Sequence, residues 1–214
     1  MTRNVHSSPS VQASPVVASV AKDSGPDPLH AAELLLHLAR LVHGGQQNDC
    51  AQTLTPAQWT ALRYFARANR LSRTPSAFSE FHATTRGTAS QVVKSLIVMG
   101  LLERRANQAD GRSTLIEVTP DGHERLRHDP LVALGEAIEA LPDEVRKNFA
   151  RGLAQVGLSL ARARRGPVFG NCADCSHCDR SQPDAPWCHC LQGRLESSEM
   201  SALCIDFAPQ QGRQ

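Results

Sequence analysis

Thr85-Arg86-Gly87-Thr88-Ala89-Ser90-Gln91-Val92-Val93-Lys94-Ser95-Leu96 leads into Gly100-Leu101-Leu102-Glu103-Arg104, and this stretch decides the fold. Ala89, Val93 and Leu96 recur at helical spacing and predict one buried stripe. Arg86, Ser90, Gln91 and Lys94 fall on the opposite side, at i, i+4, i+5 and i+8. Thr84-Thr85 offers a capping oxygen ahead of the helix, which runs from Arg86 to about Met99 and stops at Gly100. Leu101 to Arg105 then reads as a strand, Asn107 to Arg112 as a turn around Asp110-Gly111, and Ser113 to Val118 as the returning strand. A polar-faced helix followed by a hairpin is the reading half of a winged helix.

The flanks complete the pattern. Thr55-Pro56 and Thr74-Pro75 each join a capping hydroxyl to a proline suited to the first helical position. They predict a helix with a Trp59, Leu62, Phe65 and Ala66 stripe, and a short helix from Pro75 to about Phe81. A tight connection from His82 to Thr85 joins the short helix to the polar-faced one. Leu34, Leu35, Leu38, Leu41 and Val42 predict an amphipathic helix over Leu29–His43, ended by Gly44-Gly45. Downstream, Thr119-Pro120 opens a helix interrupted near Asp129-Pro130. Two more stretches follow, Leu131–Ala140 and Pro142 to about Arg165, the last with a Val145, Phe149, Leu153, Val156 and Leu160 stripe. Residues 1–28, rich in Ser, Pro, Ala and Val, show neither period and read as a disordered arm.

The chain has 214 residues and a net charge of +2 that hides an uneven distribution. Residues 1–28 are neutral, residues 29–165 carry +5 and residues 166–214 carry −3. A basic middle suits a polyanionic partner. No apolar run approaches the ~20 residues that span a bilayer, and the first residues lack the apolar core of a secretory signal. A cytoplasmic protein with no membrane partner is the expectation. There is no G-x-G-x-x-G, P-loop, H-E-x-x-H or G-x-S-x-G pattern, so an enzyme is not expected.

The order helix, helix, helix, hairpin between long amphipathic helices resembles the MarR family of transcriptional regulators. The resemblance rests on Leu54-Thr55-Pro56-Ala57-Gln58-Trp59, on Thr85 to Leu96, on Gly100 to Arg104, on Asp110-Gly111-Arg112-Ser113 and on Val118-Thr119-Pro120-Asp121-Gly122. It covers residues 29–165 and gives the expected fold class: mainly α with a small β-wing, a winged helix-turn-helix with flanking dimerisation helices. It implies a homodimer on double-stranded DNA, reading a palindromic operator with half-sites about 10 bp apart or a multiple, usually as a repressor and often under a small-molecule effector. The candidate DNA contacts are Thr85, Arg86, Thr88, Ser90, Gln91 and Lys94 on the helix, and Arg104, Asp110 and Arg112 in the wing. A polar face of mixed donors and acceptors suits base edges in a major groove. The resemblance places Arg112 in a minor groove, oriented by Asp110. Period-two alternation splits Arg104 from Arg105, so at most one of them reaches phosphate.

Residues 166–214 depart from that family. Cys172-Ala173-Asp174-Cys175-Ser176-His177-Cys178, Cys188-His189-Cys190 and Cys204 give C-x2-C-x2-C-x9-C-x-C-x13-C. A C-x2-C turn folds two sulfurs toward one centre, and six cysteines in 33 residues form a metal or cluster signal. An iron–sulfur cluster is the expected cofactor, because three thiolates from one turn exceed what a single zinc asks of it. Zinc held by Cys172, Cys175, Cys188 and Cys204 is the alternative, and cofactor-free thiol switching a third. His177 and His189 read as bystanders, and Cys50 as a stray. The expected function is a DNA-binding regulator that senses redox state, oxygen or iron through its tail. The competing readings are a small-molecule-responsive regulator with a structural zinc, and an electron-transfer protein using the winged helix for interaction.

Overall fold

The computed structural model describes residues 27–44, 54–106, 114–182 and 184–210. The chain divides into two units, residues 1–40 and 41–214. Helix α1, Pro28–Gly44, begins in the first unit, and its Leu29, Leu34, Leu35 and Leu36 side chains are exposed.

In the second unit α2 (Pro56–Arg67), α3 (Pro75–Phe81) and α4 (Arg86–Val98) precede a hairpin of β1 (Leu102–Ala106) and β2 (Thr114–Val118). The threonines set the helix starts. Thr55 accepts from Gln58 N, Thr74 from Ala77 N, Thr85 from Thr88 N and Thr119 from Gly122 N. At Thr55 the cap is reciprocal, since Gln58 Oε1 accepts the Thr55 N–H at 2.8 Å. Gly100, at φ 73°, turns the chain out of α4 in a conformation that only glycine adopts without strain. The hairpin is antiparallel, with Leu102 opposite Val118 and Ala106 opposite Thr114. Its tip, with Asp110 and Arg112, lies outside the described residues.

Helices α2, α3 and α4 and the hairpin share one core around Trp59, Leu62, Phe65, Phe78, Val93, Leu96 and Ile116. Burial on α2 is wider than the stripe read from its sequence. Tyr64 is also buried, its hydroxyl donating to the Ser72 carbonyl at 2.7 Å, whereas Ala66 is only half-buried. Helices α5 (Pro120–Arg127), α6 (Leu131–Glu139) and α7 (Asp143–Ala163) follow. Gly122 sits where a Cβ would strike the Leu101 carbonyl, so α5 crosses the base of the wing in close backbone contact. Asp129 ties α2 to the α5–α6 break. Its carboxylate takes a bidentate pair from Arg63, at 2.6 and 2.8 Å, and accepts the Leu131 N–H at 2.7 Å. Leu131 and Val132 on α6 and Val145, Leu153, Val156 and Leu160 on α7 remain exposed.

The tail has its own small architecture. Strand β3 (Gly170–Asn171) pairs with β7 (Leu203–Cys204), while β4 (Cys178–Asp179), β5 (Trp187–Cys188) and β6 (Gly193–Arg194) form a three-stranded sheet. Short 3-10 turns at Cys172–Asp174 and Ser197–Ser201 fill between them. Phe207 lies against Gly170 so closely that any side chain there would meet its ring. The tail meets the rest of the second unit at the α2–α3 turn and at α3: Asn69 N–H donates to the Leu203 carbonyl at 2.8 Å, and Phe81 meets Phe169 edge-on at 5.0 Å.

Candidate nucleic-acid interface and thiol pod

Helix α4 divides as its sequence period requires. Ala89, Val93 and Leu96 are at most 1 % exposed. Arg86, Gly87, Thr88, Ser90, Gln91 and Lys94 are exposed on the other side. None of the described contacts ties up Arg86, Gln91 or Lys94, so donors and acceptors of mixed kind stand free along about two turns. Thr85 and Thr88 face solvent too, but their hydroxyls bond each other at 2.9 Å while Thr85 caps the helix. Their first task is structural, holding the N-terminal turn from which Arg86 projects.

The base of the wing separates its two arginines. Arg105 is engaged by Glu103 at 2.8 Å and by Glu117 at 2.9 Å, on the strand face those residues share. Its guanidinium is held charged, first by the Glu103 hydrogen bond and then by the field of Glu117. Arg104, on the other face, is exposed and meets no carboxylate among the described residues. Of the two, Arg104 is the one available to phosphate.

The sequence signal extends over the same elements. Residues 52–113 match the family model described as MarR family. Over those residues the chain is similar to the MarR family. Several solved structures are similar to the chain. A probable transcriptional regulator from Pseudomonas aeruginosa is 24% identical with a TM-score of 0.45, covering 60% of this chain and 94% of that one. The MarR family transcription regulator SP03579 is 18% identical with a TM-score of 0.49, covering 64% and 89%. The MepR–DNA complex of S. aureus is 18% identical with a TM-score of 0.46, covering 61% and 96%. No curated protein matches the chain. At these levels of likeness the function rests on the residues themselves.

C-terminal to the winged-helix segment, the tail gathers its thiols. Cys172, Cys175, Cys178, Cys188 and Cys204 are buried, Cys190 is exposed, and all six are free of disulfides. Two successive turns, Cys175 N–H to Cys172 O at 3.3 Å and Cys178 N–H to Cys175 O at 3.2 Å, bend the C-x2-C-x2-C run. Pairing of β4 with β5 then sets Cys188 directly opposite Cys178. Leu191 N–H points at the Cys188 sulfur at 3.5 Å. His189 is exposed and His177 half-buried.

Burial disfavours the charged form of these thiols. Cys172 is pushed up to about 12, by burial first and then by Cys204, Cys188, Cys178 and Cys175 around it. Burial also raises Cys178, Cys190 and Cys204; at Cys204 the Asn69 side chain and a backbone N–H at Asp206 oppose it. As placed, no three His, Cys, Asp or Glu side chains among the described residues converge on one ion. The thiols that come together most closely are Cys172, Cys175, Cys178 and Cys188, which form a buried cluster with Leu195, against which Leu191, Met200 and Phe207 pack.

A cleft of about 610 Å³ lies between the α2–α3 turn and the tail, walled by Arg67, Arg70 and Arg73 on one side and Glu196 and Glu199 on the other. Arg70 crosses it to Glu199 at 3.2 Å. Sequence reasoning missed this cleft and the two buried polar residues near it, Asn69 and Ser72, because single polar residues in a turn carry no period. Among the described residues no helix is long and apolar enough to cross a membrane.

Proposed function

We propose that this protein is a sequence-specific DNA-binding transcription regulator, acting as a homodimer on a palindromic operator and repressing in the absence of its signal. The observation that carries this reading is the free row Arg86, Ser90, Gln91 and Lys94 opposite a fully buried stripe on α4. The dimer reading is supported by the exposed leucines and valines of α1, α6 and α7, which water leaves unsatisfied. Binding of operator DNA by wild type, Arg86→Ala and Lys94→Ala tests the face. Each cation that meets a phosphate lowers the salt dependence by about 0.9 when removed. If neither substitution weakens binding, α4 is not the reading helix.

DNA affinity in this reading depends on a centre held by the tail thiols, with an iron–sulfur cluster first and zinc second. Cys172, Cys175, Cys178, Cys188 and Cys204 are the residues that would hold it. Such a centre supplies either redox sensing or a structural clamp. Iron, sulfide and zinc content of protein purified without air separates them. Colourless protein with stoichiometric zinc removes the redox-sensing reading. Sensing would then pass to a small molecule, and the charged cleft beside Arg67 and Glu196 is its candidate seat.

A further inference from the structure

The connector between α2 and α3, residues 68–73, is gripped from two sides. On one side lies the tail. Ala68 bridges Leu203 in parallel, Asn69 N–H donates to the Leu203 carbonyl at 2.8 Å, and Ser72 Oγ accepts the Ile205 N–H at 2.8 Å. Arg70 reaches across the cleft to Glu199 at 3.2 Å and donates to the Arg194 carbonyl at 3.0 Å. Glu199 is itself steadied, because its second oxygen accepts the Glu196 N–H at 3.0 Å. On the other side lies the wing. The Arg73 carbonyl accepts the Ile116 N–H of β2 at 2.8 Å. The Arg73 guanidinium donates to the Ala68 carbonyl at 2.9 Å and faces Glu117 of β2 at 3.8 Å. Glu117 gives its second oxygen to Arg105 at 2.9 Å.

The tail also reaches the apolar core, where Phe169, Leu203 and Ile205 pack against the cluster built by α2, α3, α4 and the hairpin. Asn69 and Ser72 are buried. Sliding the connector would leave their hydrogen-bonding groups unmade, which is costly. With the tail docked, the connector therefore has one position. We propose that the tail is a buttress of the DNA-reading surface: docked on the connector, it holds the seat on which the wing rests, and Arg73 is the positioning residue that passes this constraint to β2. This rests on the DNA-binding reading above and requires nothing bound among the thiols. A wing held at one angle meets a duplex already ordered, whereas a wing free to rock loses that freedom on binding and so binds more weakly.

The test uses the full chain and two duplexes of equal length, one selected by the wild-type protein from a random-sequence pool and one unselected. Glu199→Arg sets two guanidinium groups against each other across the cleft. It also makes the protein more positive, which by itself tightens binding to DNA. The buttress predicts the opposite sign: binding to the selected duplex weakens about 3–30-fold, and adding Arg70→Glu restores it. Ile205→Pro, which deletes the N–H that Ser72 accepts, should give a loss in the same range. Amide hydrogen exchange follows the link, with Asn69 reporting the tail side of the connector and Ile116 the wing side. Both amides should exchange faster in Glu199→Arg and Ile205→Pro, while Val93 and Leu96 of α4 keep their protection. Arg73→Gln should weaken selected binding similarly with the Asn69 amide still protected, and adding Glu199→Arg to it should bring little further loss. Faster exchange at Asn69 with Ile116 protection and selected-duplex affinity unchanged overturns the buttress. Fully additive losses in the Arg73→Gln and Glu199→Arg pair overturn the role of Arg73. A wild-type protein that selects no sequence from the pool overturns the DNA-binding reading instead.

Discussion

At Asp129 one carboxylate serves three donors and so fixes how α2 meets the α5–α6 break. The side chain is 7% accessible and its Arg63 partner 19%. Removing one member of a largely buried pair leaves the other uncompensated. Asp129→Ala is expected to cost about 3 kcal/mol, toward the low end for such pairs because Arg63 keeps some water and lies against Trp59. Chemical denaturation of the two proteins measures it. A loss under ~0.5 kcal/mol, the level of an ordinary surface change, would show the pair to be ornamental. Gln91 is the residue on α4 best suited to bidentate contact with a base, adenine being its usual partner. Gln91→Ala is expected to relax preference at one operator position by about 1–3 kcal/mol while leaving the salt dependence unchanged. A panel of single-base operator variants reads this out. Arg86, Gln91 and Lys94 were legible from the sequence because a helix face follows from spacing alone. Asn69 and Ser72 were not, since their partners Leu203 and Ile205 lie far along the chain.

Among the elements, the helices were legible nearly to the residue. Four threonines announce their starts, and three of these precede a proline. The hairpin was legible from its turn dipeptide. The tail was legible only as a cysteine pattern, because two-residue strands show no alternation and their pairing is set by turns and thiol burial. Strand β3 illustrates this, with Gly170 opposite Cys204 in register and beneath Phe207. A methyl group there would have to displace an aromatic ring from the wall of the pod. Gly170→Ala is expected to destabilise the tail by about 1–3 kcal/mol, as overpacking does. Amide hydrogen exchange should show the loss confined to residues 168–210, with α4 and the hairpin still protected. Loss of protection across α4 as well would mean that the tail and the winged-helix segment do not open separately.

For the whole molecule, the balance of forces differs between its parts. The winged-helix segment has an apolar core of aromatic and branched side chains, and it should fold on hydrophobic burial. The tail of about 50 residues is too small to build a comparable core without a staple. Its cluster of buried residues is four cysteines and one leucine, with Leu191, Met200 and Phe207 alongside. Stripping the proposed centre with a chelator, anaerobically, is therefore expected to lower the melting temperature of the tail and to split one thermal transition into two. Calorimetry of loaded and stripped protein checks this. Identical traces would mean that the thiols pack as plain apolar groups.

The bond from Ile205 to Ser72 spans 133 residues of sequence. Contacts this remote close slowly during folding, after local ones. During synthesis the α2–α3 turn would leave the ribosome with its hydrogen-bonding groups waiting, and they would find their partners only once Leu203 and Ile205 had been made. A chain that stops before Leu203 would lack this clasp despite an intact α4. Synthesis of the tail thus becomes a condition for closing the α2–α3 turn.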